Sequence, residues 1–517
     1  MNYGIDIDET LNSTIKNNNL NSSRLALFNS QFTVLINNSV VEDGITLFQS
    51  TDNMIYNNSL KWSSSSVNNI FMIIKSGNNV ISNNTLINGS FKIEGSTVDQ
   101  LIQKSFVNNI LNNRKTEYIQ NTSGLVVSED FSQVFIINSS NIHLTNQNFD
   151  SIYTGVTVYY SSYITIDKSN FTNMYRNGIY LSGSDHSVIQ NNHFKTIEYS
   201  GTRILVATNT TFSNNVLLYS NFGLDIQTTI NTSIMGNTIT FSEQGIFSGN
   251  NQYLLIENNV VSNSSIRNIY IGTSDNAEVI NNTIYFGSNN NLDLFWSNNV
   301  KIIDNIIYGA NLAGIRIDRS DYGYFENNTV YENEVGFNIS ISDYHTIIKN
   351  CISNNTLYGL YFTQSNRNTM NFNLTKNNAN YGIYFDSTSG DSEILVNDFV
   401  DNNEGAKQAF SDGINFVAFN YWNDWVIQDV DLDNNNILDH PYILDGPGIV
   451  KDSYPQTNRV SGIESIVIPV GANFTFTIYS QTQINNLIIW TAFSPNASYY
   501  QLFQNNSLIQ ADTWISG

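Results

Sequence analysis

The chain has 517 residues and a formal net charge of −22, but only 13% of its residues are charged and 41% are hydrophobic. This composition excludes a disordered polyacid and predicts a folded protein with a large core. Lys and Arg form no dense stretch, so the sequence lacks the basic surface with which proteins bind nucleic acids or anionic membranes. At roughly 150 residues per domain the length favours three or four domains, unless internal repeats build one elongated domain.

The single cysteine, Cys351, excludes an intrachain disulfide and a cysteine-based zinc site. Neither a signal peptide nor an apolar run of about 18 residues is visible, so we expect no membrane insertion by this chain. Because it ends within a strand-like pattern, we expect a fragment of a longer protein whose targeting and anchoring segments lie elsewhere. Recurrent glycosylation sequons permit a secreted glycoprotein and favour an extracellular location, although many arise by chance in a chain so rich in Asn; they include Asn12, Asn88, Asn209, Asn327 and Asn496.

The first part of the chain carries an irregular repeat that follows a predicted cap or lead-in at residues 1–30. Short Asn-containing motifs end at Val40, Leu60, Leu86 and Leu111, at spacings of 20, 26 and 25 residues. These spacings predict short coils with variable loops. The next gap, from Leu111 to Phe149, is 38 residues long and predicts a protruding loop around residues 113–118.

From Phe149 the repeat becomes regular. The motif Asn-Asn-x-aliphatic recurs at spacings of 22 or 23 residues, with a last spacing of 25, and its apolar residues are Phe149, Phe171, Phe194, Leu217, Ile239, Val261, Ile284, Ile307, Val330, Ile352, Leu374 and Phe399. Two positions earlier, eight consecutive repeats have Asn, from Asn192 to Asn350; Phe372 interrupts the series and Asn397 resumes it. Asn side chains that bond to one another and to turn backbone would form an internal ladder.

A second marker runs in phase with the first. Gly155, Gly178 and their equivalents, replaced by Asn268 and Asn291 in two repeats, each open a short alternating strand. Gly or Asn at this point suggests a corner with positive φ. Units of 22 or 23 residues without helical periodicity are too short for propeller blades. They predict an all-β parallel solenoid with an Asn ladder over residues 31–420.

The residue two positions after each corner is predicted to point outward, since side chains alternate along a strand. The row reads Thr157, Tyr180, Arg203, Asp225, Phe247, Tyr270, Asp293, Arg316, Asn338, Tyr361 and Tyr384. At about 4.8 Å per coil it extends roughly 48 Å, long enough for an oligosaccharide. Rings that stack on sugars beside hydrogen-bonding Asp, Asn and Arg would bind carbohydrate; alternatively, these aromatics only follow β-propensity on a solvated face.

Two carboxylates in this region are candidate catalytic residues. Asp293 and Asp318 lie one coil and two residues apart, roughly 8 Å by lattice geometry, with Arg316 between them. That separation is within the range of an inverting glycosidase. The alternative is a surface ion-pair cluster of little energetic consequence.

An acidic segment at residues 421–458 contains a calcium-loop pattern. Asp431, Asp433, Asn435, Ile437 and Asp439 occupy loop positions 1, 3, 5, 7 and 9. Position 6 has Asn436 in place of Gly, and position 12 has Tyr442 in place of the bidentate Glu. The two interpretations are a Ca²⁺ site completed by other oxygens and a solvated acidic loop.

The repeat disappears in residues 459–517. Strand-like patterns at residues 465–470, 474–478 and 486–490 predict a short β-sandwich-like segment. About 55 residues are too few for a complete sandwich. The segment is therefore either a cap on the last coil or a truncated domain.

The coils and the segment that follows them resemble the right-handed parallel β-helix repeat proteins, in particular the NosD-like group of carbohydrate-binding and sugar-hydrolysis domains. The resemblance covers about residues 30–456 and is carried by the Asn-Asn-x-Ile and Gly-Ile-x-Ile coils and by Asn420-Tyr-Trp422, Asp431-Leu-Asp433, Asp439-His-Pro441-Tyr442, Asp445-Gly446 and Asp452-Ser-Tyr454-Pro455. It implies a single-stranded right-handed β-helix. It does not imply one activity, because the group spans lyases, hydrolases, surface proteins and a copper-maturation factor.

The expected function is that of a non-catalytic scaffold or adhesin, extracellular or on the cell surface, with a polysaccharide as partner. The alternative is a polysaccharide hydrolase or lyase that uses the same face. Zinc, nucleotide and haem are not expected as cofactors, nor is copper, because the five histidines show no cluster: His143, His186, His193, His345 and His440.

Overall fold

The computed structural model describes residues 4–66 and 68–463 and, further on, the four strands 473–479, 487–493, 499–504 and 507–513. Residues 1–463 and 464–517 form separate compact units. The first unit is a parallel β-solenoid in which each coil contributes strands to three sheets, here called sheets 1, 2 and 3. No helix in the described part of the chain is long and apolar enough to cross a membrane.

The first array of coils starts at Ile5, so solenoid strands already occupy the segment assigned to a cap or lead-in. Sheet 1 of this array comprises Ile5–Asp8, Leu25–Phe28, Ile45–Phe48, Ile70–Ile74 and Ser90–Glu94. Sheet 2 comprises Thr14–Lys16, Val34–Ile36, Met54–Tyr56, Val80–Ser82 and Ser105–Val107, and sheet 3 comprises Asn19–Asn21, Ser39–Val41, Ser59–Lys61, Thr85–Ile87 and Ile110–Leu111. A 3₁₀ turn, Val98–Gln100, precedes the last strand of sheet 2.

The main array is built from three sheets in the same way. Its sheet 1 comprises Arg114–Gln120, Gln133–Ile137, Thr154–Tyr159, Asn177–Ser182, Arg267–Gly272, Asn290–Phe295, Ala313–Asp318, Val335–Ser340, Tyr358–Thr363, Ile383–Phe385 and Ala409–Ser411. Its sheet 3 comprises Asn148–Asp150, Asn170–Met174, Val260–Ser262, Thr283–Tyr285, Ile306–Tyr308, Thr329–Tyr331, Cys351–Ser353, Leu374–Lys376, Asp398–Val400 and Tyr421–Trp422. Three long strands run from sheet 3 into sheet 1: His193–Leu205, Val216–Gln227 and Thr238–Gly249.

Sheet 2 of the main array extends to the acidic segment. It comprises Ser123–Val127, Ser140–Thr145, Ser162–Asp167, Val188–Gln190, Thr211–Ser213, Ser233–Met235, Leu255–Glu257, Glu278–Ile280, Lys301–Ile303, Tyr324–Glu326, Thr346–Ile348, Thr369–Asn371, Glu393–Leu395, Phe416–Ala418, Lys451–Asp452 and Tyr442–Ile443. A second 3₁₀ turn spans Asn403–Gly405.

The predicted protruding loop around residues 113–118 is wrong. Arg114–Gln120 is a strand of sheet 1 that pairs in parallel with Gln133–Ile137. Ile119 points into the core like its equivalent Ile136 in the next coil. Tyr118, on the opposite side of the strand, is also buried, because it stacks on Phe106 and donates its hydroxyl to Leu101 O at 2.6 Å. The extra residues form a short coil without a sheet-3 strand.

The internal Asn ladder is confirmed. The ladder asparagines are buried, and the side-chain oxygen of each accepts a hydrogen bond from the backbone N–H at the ladder position one coil earlier. For example, Asn305 Oδ1 accepts from the Asn282 N–H at 2.8 Å. The Asn282 side-chain amide also donates to Ile256 O at 2.8 Å. The predicted interruption at Phe372 is wrong, because Asn373 occupies the ladder position and bonds to its neighbours in both directions. The intervening coil is one residue longer than the aligned motif suggested.

The corner glycines are required for a different reason from the predicted one. Their φ values are not positive, but a Cβ at Gly178 would lie 2.6 Å from both Gly201 O and the Phe194 ring. At these coils a side chain would collide with the backbone or the core ring of the next coil. Asn268 and Asn291 fit in two coils because Asn268 Nδ2 donates to Asn291 Oδ1 at 2.8 Å and so extends the hydrogen-bonded stack.

The second unit is described only by its strands. Asn473–Tyr479 pairs antiparallel with Leu487–Phe493, and Tyr499–Gln504 pairs antiparallel with Ser507–Thr513. Two of the predicted strands, at residues 474–478 and 486–490, fall largely within the first pair. The third, at residues 465–470, lies outside the described residues.

Replacing Asn282 with Leu tests the energetic importance of the ladder. Loss of the side-chain amide leaves the Asn259 and Ile256 backbone groups without their partners, so we expect a loss of about 1–3 kcal/mol of unfolding free energy. Thr283→Val, on the half-buried outer side of the same strand, is the control and should change little. Urea unfolding of both variants measures the difference, and equal losses would contradict the assigned inward face.

Candidate carbohydrate-binding face

The predicted outward row lies on sheet 1 of the main array and is in register from coil to coil. The pairs run without a break from Thr157 opposite Tyr180 to Tyr361 opposite Tyr384, and Phe410 extends the row by one coil. The flanking residues point into the core; Ile179 and Leu181, on either side of Tyr180, are fully buried. Strand alternation therefore presents one residue per coil on a continuous stripe.

The aromatic side chains of the row form two stacked groups. In the first, the Phe247 and Tyr270 ring centroids are 5.2 Å apart with planes at 19°. In the second, Tyr384 stacks on Phe410 at 4.5 Å and 5°, and on Tyr361 at 5.5 Å and 26°. All of these rings are partly exposed, so their edges form apolar patches on the sheet.

Sequence reasoning missed a second set of aromatic residues beside the row. Phe222 and Tyr358 lie immediately before corner glycines, and their rings contact Phe247 at 5.6 Å and Tyr361 at 5.4 Å. Tyr199, nearby, contacts Phe222 at 5.3 Å. Their signal was present, since aromatic residues precede three of the corner glycines. The chain bends at each corner and thereby brings these side chains onto the same face.

The charged members of the row are paired with one another. Arg203 Nε lies 2.9 Å from Asp225 Oδ2, and Asp225 is only 1% exposed. Burial raises the pKa of Asp225, whereas the neighbouring Gln227 and Arg203 act in the opposite direction. This carboxylate is a poor ligand for solvent species because its charge is already balanced.

The candidate catalytic carboxylates belong to a larger ion-pair cluster. Arg316 donates to Asp293 Oδ1 at 3.0 Å and to Asp318 Oδ2 at 2.6 Å, so its guanidinium bridges the two acids. Arg267 also pairs with Asp293, at 2.9 Å, and Arg319 pairs with Asp318, at 3.2 Å. An inverting pair needs a water molecule between its carboxylates, and here a cation bridges them. Their catalytic role stays a prediction.

The acidic loop folds around its own side chains. Asn435 N–H donates to Asp431 Oδ1 at 3.1 Å, and Ile437 N–H donates to Asn435 Oδ1 at 2.7 Å. Asn436, at the position where calcium loops have Gly, adopts φ of 69°. Asp433 is exposed and accepts a bond from the Asn435 amide, whereas Asp439 contributes its backbone N–H to the Val430 carbonyl. Among the described residues no group of three or more His, Cys, Asp or Glu is placed to hold a metal ion.

Two protein families match parts of the chain. Residues 230–446 match the family described as "Periplasmic copper-binding protein (NosD)", and residues 104–239 and 132–284 match "Right handed beta helix region". The chain folds as a right-handed parallel β-helix, and residues 230–446 are similar to the NosD family. The NosD match includes the row from Phe247 onward and the acidic loop. No curated protein matches the chain.

Several solved structures are similar to this chain at low sequence identity. The periplasmic alginate epimerase AlgG is 11% identical over 74% of this chain and 75% of its own, with a TM-score of 0.31. The A-module of the mannuronan C-5 epimerase AlgE4 from Azotobacter vinelandii is 11% identical over 72% and 87%, with a TM-score of 0.32. DFA-IIIase from Arthrobacter chlorophenolicus A6 is 14% identical over 54% and 83%, with a TM-score of 0.36.

The histidines of this chain do not fit a copper centre. His143 pairs with Asp167 at 2.9 Å, and His440 pairs with Asp429 at 2.8 Å. His186 stacks on the ring of Tyr163. The described residues therefore provide single histidines with individual partners, whereas a copper site needs several soft or imidazole ligands together.

His345 is buried in the core and should make stability depend on pH. Its Nδ1 accepts the Gly323 N–H at 2.9 Å, and burial lowers its pKa to about 3. Because the folded pKa lies below the unfolded value, the neutral ring's contribution is present above about pH 6.5 and is lost as pH falls towards 3. Replacement by Asn, the residue at the equivalent position of the next coil (Asn368), should make the loss of stability between pH 7 and pH 5 smaller by about 2 kcal/mol.

Urea unfolding at the two pH values measures this difference. His186→Asn, at an exposed position, is the control and should leave the pH dependence almost unchanged. An unchanged dependence in His345→Asn would show that the buried imidazole does not titrate in this range.

Calcium binding at the acidic loop is tested by calorimetry and thermal unfolding. If Asp431, Asp433 and Asp439 ligate Ca²⁺, binding should relieve their mutual repulsion, protect the loop from proteolysis and raise the melting temperature by mass action. Asp431→Asn with Asp433→Asn should abolish these effects. The control is Asp304→Asn, which should leave these effects unchanged. Asp304 is an exposed acid on the solenoid, and Asn281 and Asn327 occupy the equivalent positions of the coils before and after it. If calorimetry detects no calcium uptake at millimolar concentration, the calcium interpretation is wrong and the segment is a solvated acidic loop.

Proposed function

We propose that this NosD-like β-helix protein is a non-catalytic scaffold or adhesin that binds carbohydrate along sheet 1 of its main array. The observation that carries the proposal is the in-register outward row, in which stacked aromatic groups alternate with clustered Arg, Asp and Asn side chains. Stacked, partly exposed rings form an apolar surface against which a sugar can pack, and each ring is held in place by its neighbour.

The ion pairs favour binding over catalysis. Arginines form ion pairs with three acids of the row, Asp225, Asp293 and Asp318. These ion pairs fix the guanidinium groups, whose remaining N–H groups can donate hydrogen bonds to sugar hydroxyls. A general acid needs a free carboxyl group with a pKa near the working pH. Carboxylates that are ion-paired with arginines in a rigid sheet are better suited to binding a sugar than to transferring a proton.

The alternative function is a polysaccharide hydrolase or lyase that acts on the same face. Its specific support is the proximity of Asp293 and Asp318. Incubation with neutral and acidic polysaccharides, followed by assays for reducing ends and unsaturated products, distinguishes the two. Depolymerisation that Asp293→Asn or Asp318→Asn abolishes would replace the scaffold proposal with this one.

We further propose that the protein works outside the cytoplasm, at a surface where glycans are accessible. The matching family is described as periplasmic, and the sequons are compatible with an extracellular glycoprotein. Staining of intact cells with an antibody against the solenoid would detect it there; signal only after permeabilisation would contradict this location.

Binding to a glycan array tests the carbohydrate proposal. Tyr361→Ala and Tyr384→Ala should each weaken binding of the glycans that score on the array by about tenfold, because each removes a stacking surface. Tyr308→Ala is the matched control: Tyr308 stacks on Tyr285 at 5.0 Å in the same way, but on sheet 3. Equal effects of all three variants, or no glycan bound by the wild type, would contradict the proposed face.

A further inference from the structure

The row ends in a pocket at the junction between the two arrays. Sheet 1 of the first array stops at Ser90–Glu94, and the buried Gln133 bridges this strand to the main array: its Nε2 donates to Phe91 O at 2.9 Å and to Thr154 O at 2.8 Å. Tyr153 N–H also donates to Ser90 Oγ, at 2.7 Å. Side chains, not continuous strand pairing, join the two arrays here, and they leave a cavity of about 170 Å³.

This junction pocket, defined by Lys92, Arg176, Asn177, Tyr180 and Arg203 with their neighbours, is basic. Three cations and one acid, Glu94, line it in a chain of net charge −22. Lys92 pairs with Glu94 at 3.0 Å, and Arg203 pairs with Asp225 at 2.9 Å. Arg176 has no carboxylate partner among the described residues; its guanidinium lies 3.9 Å from the Tyr199 ring centroid. The pocket therefore retains an uncompensated positive charge.

The walls provide two further features of a built site. Tyr159 and Tyr180 meet edge to face at 5.6 Å, and Tyr153 also lines the pocket. Asn177 is only 5% exposed, and its Oδ1 has no hydrogen-bond partner in the described structure. A buried acceptor without a partner is costly unless a ligand or water donates to it.

We propose that the junction pocket binds a chain-terminal acidic sugar, with its carboxylate on Arg176 and a hydroxyl donated to Asn177 Oδ1. This deepens the carbohydrate-binding proposal and depends on it. A planar guanidinium matches a carboxylate in bidentate geometry. The cavity is below the roughly 300–1,000 Å³ of sites for larger ligands, so it accommodates one ring. Because Ser90–Glu94 closes the row at this end, a glycan that lies along the row ends in the pocket.

Calorimetry with defined trisaccharides tests this proposal. The probes are a trisaccharide with a uronic acid at one chain end, its isomer with the uronic acid only in the middle, the neutral analogue and one with a terminal sulfated sugar. We expect the terminal uronate to bind at least about tenfold more tightly than the internal isomer and the neutral analogue. Arg176→Gln should remove that preference and reduce the salt dependence of binding, whereas Lys301→Gln, an exposed cation on sheet 2, should not.

Asn177→Ala separates the hydroxyl contact from the charge contact, since it should weaken the neutral and acidic probes alike. The pocket is refuted if Arg176→Gln leaves the preference intact, or if the neutral or sulfated probe binds as well as the uronate. If these probes still bind and Tyr361→Ala weakens them, the row proposal survives that refutation. If no probe and no array glycan binds, both proposals fail.

Discussion

The solenoid depends on the strict parallel register of its stacked coils, and buried side-chain amides hold that register. A turn in a dry interior exposes N–H and C=O groups that no strand partner reaches. The ladder asparagines satisfy them on both sides: Asn305 Oδ1 accepts from Asn282, and its Nδ2 donates to carbonyls of its own and the preceding coil. A one-residue slip between coils would break these bonds and move a whole strand's core residues outward. Register is therefore strongly specified along the array.

Fixed register makes a long functional surface out of one residue per coil. No loop is needed to build the row, because each substitution at one repeat position adds or removes a single side chain on the stripe. The same geometry lets Arg316 reach acids in its own strand and in the strand before it. The junction between the arrays is different, because strand pairing in sheet 1 stops there. The side-chain amide of Gln133 connects the two arrays by hydrogen bonds to the Phe91 backbone, and a concave site forms beside it.

Periodicity in the sequence predicted the features that recur in every coil and missed those that occur only once. It located the ladder, the coils of a parallel solenoid and the outward row, since each depends only on position within a repeat. It failed at Asn373, where a coil is one residue longer than the motif suggested, and at Arg114–Gln120, where a coil lacks one side. The junction pocket combines Lys92 with Arg176, residues from two arrays whose relative register no motif records.

The acidic segment acts first as the end of the solenoid. Asp452 is fully buried and accepts from Asn420 Nδ2 at 3.2 Å and from Trp422 Nε1 at 3.0 Å, so it terminates the ladder with a carboxylate where another Asn would otherwise stand. Tyr442 covers the last core ring by stacking on Trp422 at 4.2 Å. Both ends of the acidic loop are thus anchored by core contacts that involve no cation. A bound cation would therefore order the loop itself, whereas closure of the core rests on Asp452 and the stacked rings.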